Sequence, residues 1–504
     1  MLSRRSFLLA NAAIPFLRIK AFAAASGSLV FGLSSHPPNL DPWRHTGTAA
    51  GAVKQLIFRG LTSFGPDGEL RGELAETWER SGDTGWVFHL RDAVFHNGAA
   101  VTAEDVKWTL EQIAAEKSTA YLKAEIQSVQ EIRTPDRRTV HLVMKEPTVT
   151  VPMWFANFNM PIIARGTTEG GSTPVGAGPF VLKGQERGVA IDLEAFDRFF
   201  KPGLPKIKSI RFVAYADENL RVAALQAGDV DIIDYVPWQA MDAIERDSKL
   251  KLLTTNGPFM GLIFNGRTGP FTDPRVRQAV GFAIRRDEIV KAAFFGRGAP
   301  LEGIPLTPGT PFFDEARSHH WRYDPDRAKK LLAEAGMSNG FQCTLLSTAQ
   351  YGMHKQTAEI VQQHLAEIGI QAKLNLPDWA TRLTLGGRGQ YDFAVVGDSA
   401  LTPDPDGIAF LLDAELPESI SRSYGMSTPR LHELFVQGRS TFEHEKRREI
   451  YAQMEQEALE QAPFVGLAWR SQGYAMKKSV EGFHNLPGSL SFASGITLEE
   501  TSIA

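Results

Sequence analysis

The stretch Phe58–Glu111 reads FRGLTSFGPDGELRGELAETWERSGDTGWVFHLRDAVFHNGAAVTAEDVKWTLE, and it dictates its own local structure almost residue by residue. Gly65, Pro66, Asp67 and Gly68 predict a turn, because proline presets one backbone angle and glycine tolerates the positive one. Trp86, Phe88 and Leu90 alternate with Val87, His89 and Arg91, the pattern of a half-buried strand. Asn97-Gly98 predicts a second turn. Thr102 followed three residues later by Asp105 reads as a capping box, with Val106, Leu110, Ile113 and Ala114 on one face of the helix behind it. The order is turn, strand, turn, capped helix.

This stretch resembles the signature region of the bacterial extracellular solute-binding proteins of family 5, the large receptors that feed peptide, nickel and related ABC importers. The runs that carry the resemblance are Glu73–Trp78 (ELAETW), Leu90–Gly98 (LRDAVFHNG) and Thr102–Val106 (TAEDV). None of these residues is catalytic, so the resemblance implies a fold and leaves the ligand open. The implied fold is α/β: a two-lobed periplasmic binding protein, type II-like, of the large cluster with an extra subdomain and an interlobe ligand cleft.

Working outward, 504 residues hold roughly three domains' worth of chain at about 150 residues each. A formal net charge of −4 with 22% charged residues carries no electrostatic footprint for nucleic acid or an anionic membrane, so a small molecule is the expected partner. Cys343 is the only cysteine, which excludes an intramolecular disulfide and a thiolate cluster; within the run Phe341–Leu345 it reads as a buried, inert thiol. At the N-terminus, Ser3-Arg4-Arg5-Ser6-Phe7-Leu8 matches a twin-arginine export signal. The apolar run behind it is too short to span a bilayer, and small residues at Ala21–Ala25 supply a cleavage site. An ordinary secretory signal is the alternative; either way the expected location is the periplasm.

The Pro-rich segment Gly32–Trp43 resembles the family's first cleft loop and offers Ser34, Ser35 and His36 as polar contacts. Gly170–Gly178 is a break in the pattern, and Val175–Phe180 resembles the turn at which family members return to the first lobe. Thr255–Asn265 looks like a crossover strand, with Gly257-Pro258 as its flexing point. Asp273-Pro274 and Asp324-Pro325 open helices with proline in the first turn, and Asp287 is expected to cap another. Phe341–Leu345, a helix through Ala358–Ile368 and Ile370–Leu376 read as strand, helix and strand, which predicts parallel pairing and an α/β second lobe. Tyr391–Val396 is a buried strand leading into the loop Gly397–Gly407, at the end of a strand where ligands of open α/β sheets sit. Arg430–Gln461 reads as one helix and Pro463–Trp469 as a returning strand.

No nucleophile, zinc-ligand or calcium-loop motif is present, so no catalytic residue, metal ligand or cofactor is assigned. Trp154, Phe259 and Trp379 are read as cleft walls or plain core. Arg382 and Arg422 are read as forks for a carboxylate or phosphate, or as surface residues. Aligned on Asp404-Pro405, the position at which peptide-binding members pair the ligand's amino group is Leu401; Asp398, with Ser399 beside it, lies three residues earlier as the alternative charge. The ligand-binding set is therefore Ser35, His36, Trp154, Phe259, Trp379, Arg382, Asp398, Ser399 and Arg422.

The expected organisation is a signal peptide at 1–25, lobe I from 26–50, 172–257 and 468–504, an extra subdomain at 51–171, and lobe II at 258–467. The expected function is the substrate-binding receptor of an ABC importer. It would act as a monomer, capture a small polar organic solute of the peptide or opine kind, and deliver it to permease subunits in the inner membrane. Alternatives are a nickel or metal-chelate receptor, for which His36 and His319-His320 are the candidates, an exported hydrolase, and a chaperone-like binder of unfolded chains.

Overall fold

The structure, a computed structural model, describes residues 27–167 and 174–504. The export signal and part of the Gly170–Gly178 break lie outside the described residues. The opening stretch folds as its pattern predicts. Strand Gly85–Leu90 lies between Ala75–Ser81 and Thr139–Met144, and Val129–Arg133 completes a four-stranded antiparallel sheet. Asp105 accepts from the Thr102 backbone N–H at 3.0 Å and from its hydroxyl at 2.5 Å, so the box starts the helix Ala103–Ala114. That helix buries Val106, Leu110 and Ile113 against Phe88, Val140 and Leu142, giving this sheet its own core.

The rest of the chain is organised on one mixed sheet of eleven strands. From one edge its order is Ile370–Asn375, Phe341–Leu346, Phe393–Asp398, Leu250–Phe264, Phe464–Lys477, Ile232–Ile233, Ser28–Leu33, Ser209–Ala214, Ala190–Ala195 and Phe180–Glu186; Gly298–Pro300 also pairs with Phe464–Lys477. The two long strands run through both lobes. Their pairing covers Leu250–Asn256 against Ser471–Lys477 on one side and Phe259–Ile263 against Phe464–Trp469 on the other, and the register shifts between Asn256 and Phe259. Gly257 lies in that break, where an added Cβ would come 2.0 Å from the Gly488 carbonyl oxygen. Only glycine fits there. Beyond the break one core surrounds Phe264, Leu345, Val361 and Phe393; before it a second surrounds Leu29, Phe31, Ile210 and Phe212.

The parallel pairing predicted for the second lobe is present between Phe341–Leu346 and Ile370–Asn375. Asp273 and Asp324 cap their helices with side-chain oxygens, and Gly228 ends the helix Glu218–Ala227 in a left-handed conformation at φ +86°. Two local expectations are corrected. Asp287 lies in the first turn of its helix, and Arg285 is the cap residue. The helix expected over Arg430–Gln461 is two, Pro429–Ser440 and His444–Gln461. Gly438 lets the Tyr451 ring approach where a Cβ would meet it at 2.5 Å, so the pair packs closely, and the intervening Phe442 turns out toward Trp86 of the small sheet. The helix Thr48–Ile57 also packs into the core around Leu29 and Phe31 rather than into the small sheet's core, because its alanines and Val53 face that way.

Candidate ligand-binding cleft

Asp398 ends a buried strand, and its side chain reaches the space between the lobes. Its carboxylate accepts from the Ser421 hydroxyl at 2.7 Å and from the Ser399 N–H at 2.9 Å, and burial raises its pKa against those bonds and against the fields of Arg470 and His45. No basic side chain among the described residues ion-pairs with it. Arg470 belongs to the long strand Phe464–Lys477, lies within the register break between Trp469 and Ser471, and is 6% exposed. The only hydrogen-bond partner its guanidinium has among the described residues is the Met353 sulfur at 3.5 Å, and its Nε is buried without one. A buried guanidinium without a carboxylate is costly to hold, and the arrangement leaves it ready for an anion.

Around this pair stand aromatic walls. On the second lobe, Trp379 packs against Tyr351 at 5.4 Å and His354 at 5.6 Å, with the Arg382 guanidinium 5.6 Å from the Trp379 ring. Burial, with Arg470 and Arg382 nearby, pushes the His354 pKa down to about 3, so this imidazole is neutral. On the first lobe, the exposed His45 packs against Tyr121 at 5.1 Å and Phe158 at 6.0 Å. Burial and the negative charges of Asp398 and Glu125 push the Tyr121 hydroxyl up to about 12. Asp398 acts electrostatically on both His45 and Tyr121, so the carboxylate lies within charge range of the first-lobe wall. Among the polar atoms buried without a partner, Arg470 Nε, His354 Nδ1, Ser399 Oγ, Gln472 Nε2 and Arg382 Nε lie in the second-lobe wall and on the long strand.

The structure brings together Asp398, Ser399, Trp379 and Arg382 from the sequence-based set, Arg382 being anchored behind Trp379 by a bond to the Val395 carbonyl at 2.8 Å. The others lie elsewhere. Phe259 is fully buried beneath Phe464 and Trp469, because the strand that carries it is covered on both faces. Arg422 is 4% exposed and its guanidinium is taken up by the carbonyls of Phe410, Leu416 and Pro417, a strut for its own loop. Trp154 is half-buried against the small sheet's core. Ser35 is exposed, and His36 lines a recess of about 470 Å³ with Pro37, Pro38, Gln185, Arg187 and Gly188, none of which belongs to the Asp398 cluster. His319 is bonded to Glu302 and Glu315, whereas His320 packs on Phe282 and Trp321, so the pair does not converge. No grouping of three or more His, Cys, Asp or Glu that could hold a metal ion occurs among the described residues.

Sequence reasoning passed over Arg470, His45, Tyr121, Phe158, His354 and Ser421. One signal was present: in GLAWRSQG an arginine interrupts an apolar strand, and the reading of that strand stopped one residue short of it.

Two lobes on one sheet, joined by long crossing strands and facing each other across a charged, aromatic-walled cleft, define a solute receptor. The chain belongs to the bacterial extracellular solute-binding proteins of family 5, whose middle-region model matches residues 69–415, and it is the substrate-binding receptor of an ABC importer. It is 27% identical over 481 residues to the glutathione-binding protein GsiB of Pectobacterium atrosepticum and likewise to that of Escherichia coli K12, covering 92% of this chain and 93% of each relative. Among solved structures it is similar to the binding protein AgaA from A. tumefaciens R10 in complex with agropinic acid, at 40% identity and a TM-score of 0.84 over 95% of this chain and 99% of that one. The Helicobacter pylori protein DppA in complex with the peptide STSA shares the fold at 20% identity and a TM-score of 0.80, over 95% and 98% of the two chains.

Proposed function

We propose that this receptor captures a small zwitterionic organic solute, an opine or a similar amino-acid conjugate, with a carboxylate on Arg470 and an amino group on Asp398. The observation that carries this reading is the buried guanidinium of Arg470 with only a thioether for a partner, in the field of a carboxylate that lacks a cation of its own. Each charge is costly alone and is matched by one end of a zwitterion. The aromatic walls suit an organic body between those ends. The likeness to an agropinic-acid-binding protein at 40% identity supports the opine over an ordinary peptide.

In this reading lobe I comprises 26–50, 172–257 and 468–504, the extra subdomain 51–171 and lobe II 258–467, except that the helix Thr48–Ile57 packs into the first lobe's core and is counted with it, so the subdomain begins at Phe58. The lobes close over the solute about the register break, the ligand favouring the closed form by its higher affinity for it. The receptor works as a monomer, is exported by the twin-arginine route, performs no chemistry on its cargo, binds no nucleic acid and hands the solute to a permease in the inner membrane.

Calorimetric titration of mature protein with an opine that keeps a basic amine, with agropinic acid, whose nitrogen is an uncharged lactam amide, and with free amino acids, short peptides, glutathione and nickel–histidine tests the reading. The expected result is binding of the opine, weakened at least about thirtyfold by Arg470→Met, since truncating one partner of a buried charge pair costs about 2–5 kcal/mol. Binding of nickel–histidine alone, or an Arg470→Met variant that binds the opine as tightly as the parent, would overturn it.

A further inference from the structure

We propose that His45 is a ligand-contacting N–H donor whose proton is fixed on Nε2 by a relay running from Lys54 through Asn159. The inference rests on the cleft between Asp398 and His45 being the solute site. Lys54 is fully buried on the helix Thr48–Ile57, and its ammonium donates to the Arg44 carbonyl at 2.9 Å and to Asn159 Oδ1 at 2.6 Å. An ammonium has no acceptor, so the atom of Asn159 facing it is the amide oxygen. The orientation is fixed a second time from the other side. Asn157 Oδ1 accepts the Asn159 backbone N–H at 2.9 Å, which identifies it as an oxygen, and it also lies 3.1 Å from Asn159 Nδ2. Both constraints put the amide NH₂ where it meets His45 Nδ1 at 3.4 Å. A donor on that side obliges Nδ1 to accept with its lone pair, and a neutral imidazole then carries its proton on Nε2.

The remaining surroundings keep the ring neutral and aimed. Burial and the Lys54 ammonium lower the His45 pKa, against the opposing pull of Asp398 across the cleft. Tyr121 and Phe158 both pack against the ring, and the Lys54 ammonium lies 5.6 Å from the Phe158 ring. His45 is exposed and its Nε2 makes no hydrogen bond among the described residues, so the Nε2–H is free for a solute. The first-lobe wall thus selects an acceptor oxygen on the solute, a carbonyl, hydroxyl or carboxylate, opposite the carboxylate of Asp398 that selects a cation. A solute presenting an ammonium to both walls is rejected.

Long-range ¹H–¹⁵N NMR of the unliganded, mature protein reads the tautomer directly, and calorimetry with agropinic acid reads the contact. Wild type is expected to show the Nε2–H tautomer of His45. Asn159→Asp replaces the donor by a second oxygen while keeping an acceptor for Lys54, and should move the proton onto Nδ1 or charge the ring. His45→Phe, at an exposed position, keeps the ring packing and removes the donor; a loss of tenfold or more in opine affinity is expected. An Nδ1–H tautomer in wild type, or one unchanged in Asn159→Asp, would overturn the relay, and undiminished affinity in His45→Phe would overturn the contact. Should wild type itself ignore the opine, the solute assignment falls, while the NMR arm still decides the relay.

Discussion

Asp398 shows how one carboxyl can serve a site at the expense of the fold. Its folded pKa is raised by burial above the value of about 3.9 expected in the unfolded chain. The folded protein therefore holds the Asp398 proton more tightly than the unfolded chain does. The stability this contributes is fully present below about pH 4 and is lost as pH rises through the folded value. At neutral pH the charged carboxylate, lacking a cation, destabilises the unliganded protein. Asp398→Asn should raise the melting temperature of unliganded protein at pH 7, by an amount that shrinks toward pH 4, as read by differential scanning fluorimetry across that range. The same substitution should weaken binding of an amine-bearing opine at pH 7 and abolish the fall in affinity expected of wild type as Asp398 becomes protonated. A variant less stable than wild type at pH 7 would contradict this account. In the sequence Asp398 stands out only as the alternative charge three residues before Leu401, and Arg422 reads as a fork or a surface residue, since a lone arginine looks the same in sequence whether it faces a ligand or three carbonyls.

At the scale of elements, the loop Gly397–Gly407 presents Ser399 to the cleft and is pinned from behind. Arg447, on the helix His444–Gln461, grips Asp404 through two bonds of 2.6 and 2.7 Å, with the side chains 7% and 1% exposed. Arg439 grips Asp406 in the same loop. Removing one member of such a buried pair leaves the other charge uncompensated. Arg447→Ala should therefore cost about 3–5 kcal/mol in urea unfolding, and Asp404→Leu added to Arg447→Met should recover much of that loss. A loss below about 1 kcal/mol for Arg447→Ala would mean the pair contributes little. Elements whose ends are set within a few residues were legible: the Thr102–Asp105 box, the Asp273-Pro274 and Asp324-Pro325 starts, and the Gly228 stop all form. The break at Thr441–Glu443 was not, because Gly438, Ser440 and Thr441 only weaken a helix there and a helix can tolerate such residues. What favours it is the contact Phe442 makes far along the chain.

That contact matters for the whole molecule. Phe442 lies under the Arg80 guanidinium at 3.8 Å and 5.9 Å from Trp86, and close by the Val149 N–H donates to the Arg439 carbonyl at 2.9 Å. These contacts link the small sheet to the second lobe through residues outside the cleft cluster, so under the proposed closure they hold the two together independently of the solute. Phe442→Ala removes a cation–π and an aromatic contact together worth about 1–2 kcal/mol. It should weaken solute affinity about five- to thirtyfold, mostly through faster dissociation, and shift the unliganded protein toward a larger radius of gyration in small-angle scattering. Unchanged affinity together with unchanged scattering would show that closure does not depend on this contact.

The sequence by itself determined what is governed by near neighbours and by alternation: the capped helices, the turns, the parallel strand-helix-strand unit, and with them an α/β receptor built around the signature stretch. Tertiary structure alone decided which side chains share the cleft. His45, Tyr121, Asp398 and Arg470 come from four separated segments, and their meeting depends on how two lobes are hung from two crossing strands. It also decided that Phe259 is core and Arg422 a strut, since burial and partnership are properties of the assembled surfaces around a residue and leave no mark on its neighbours in sequence.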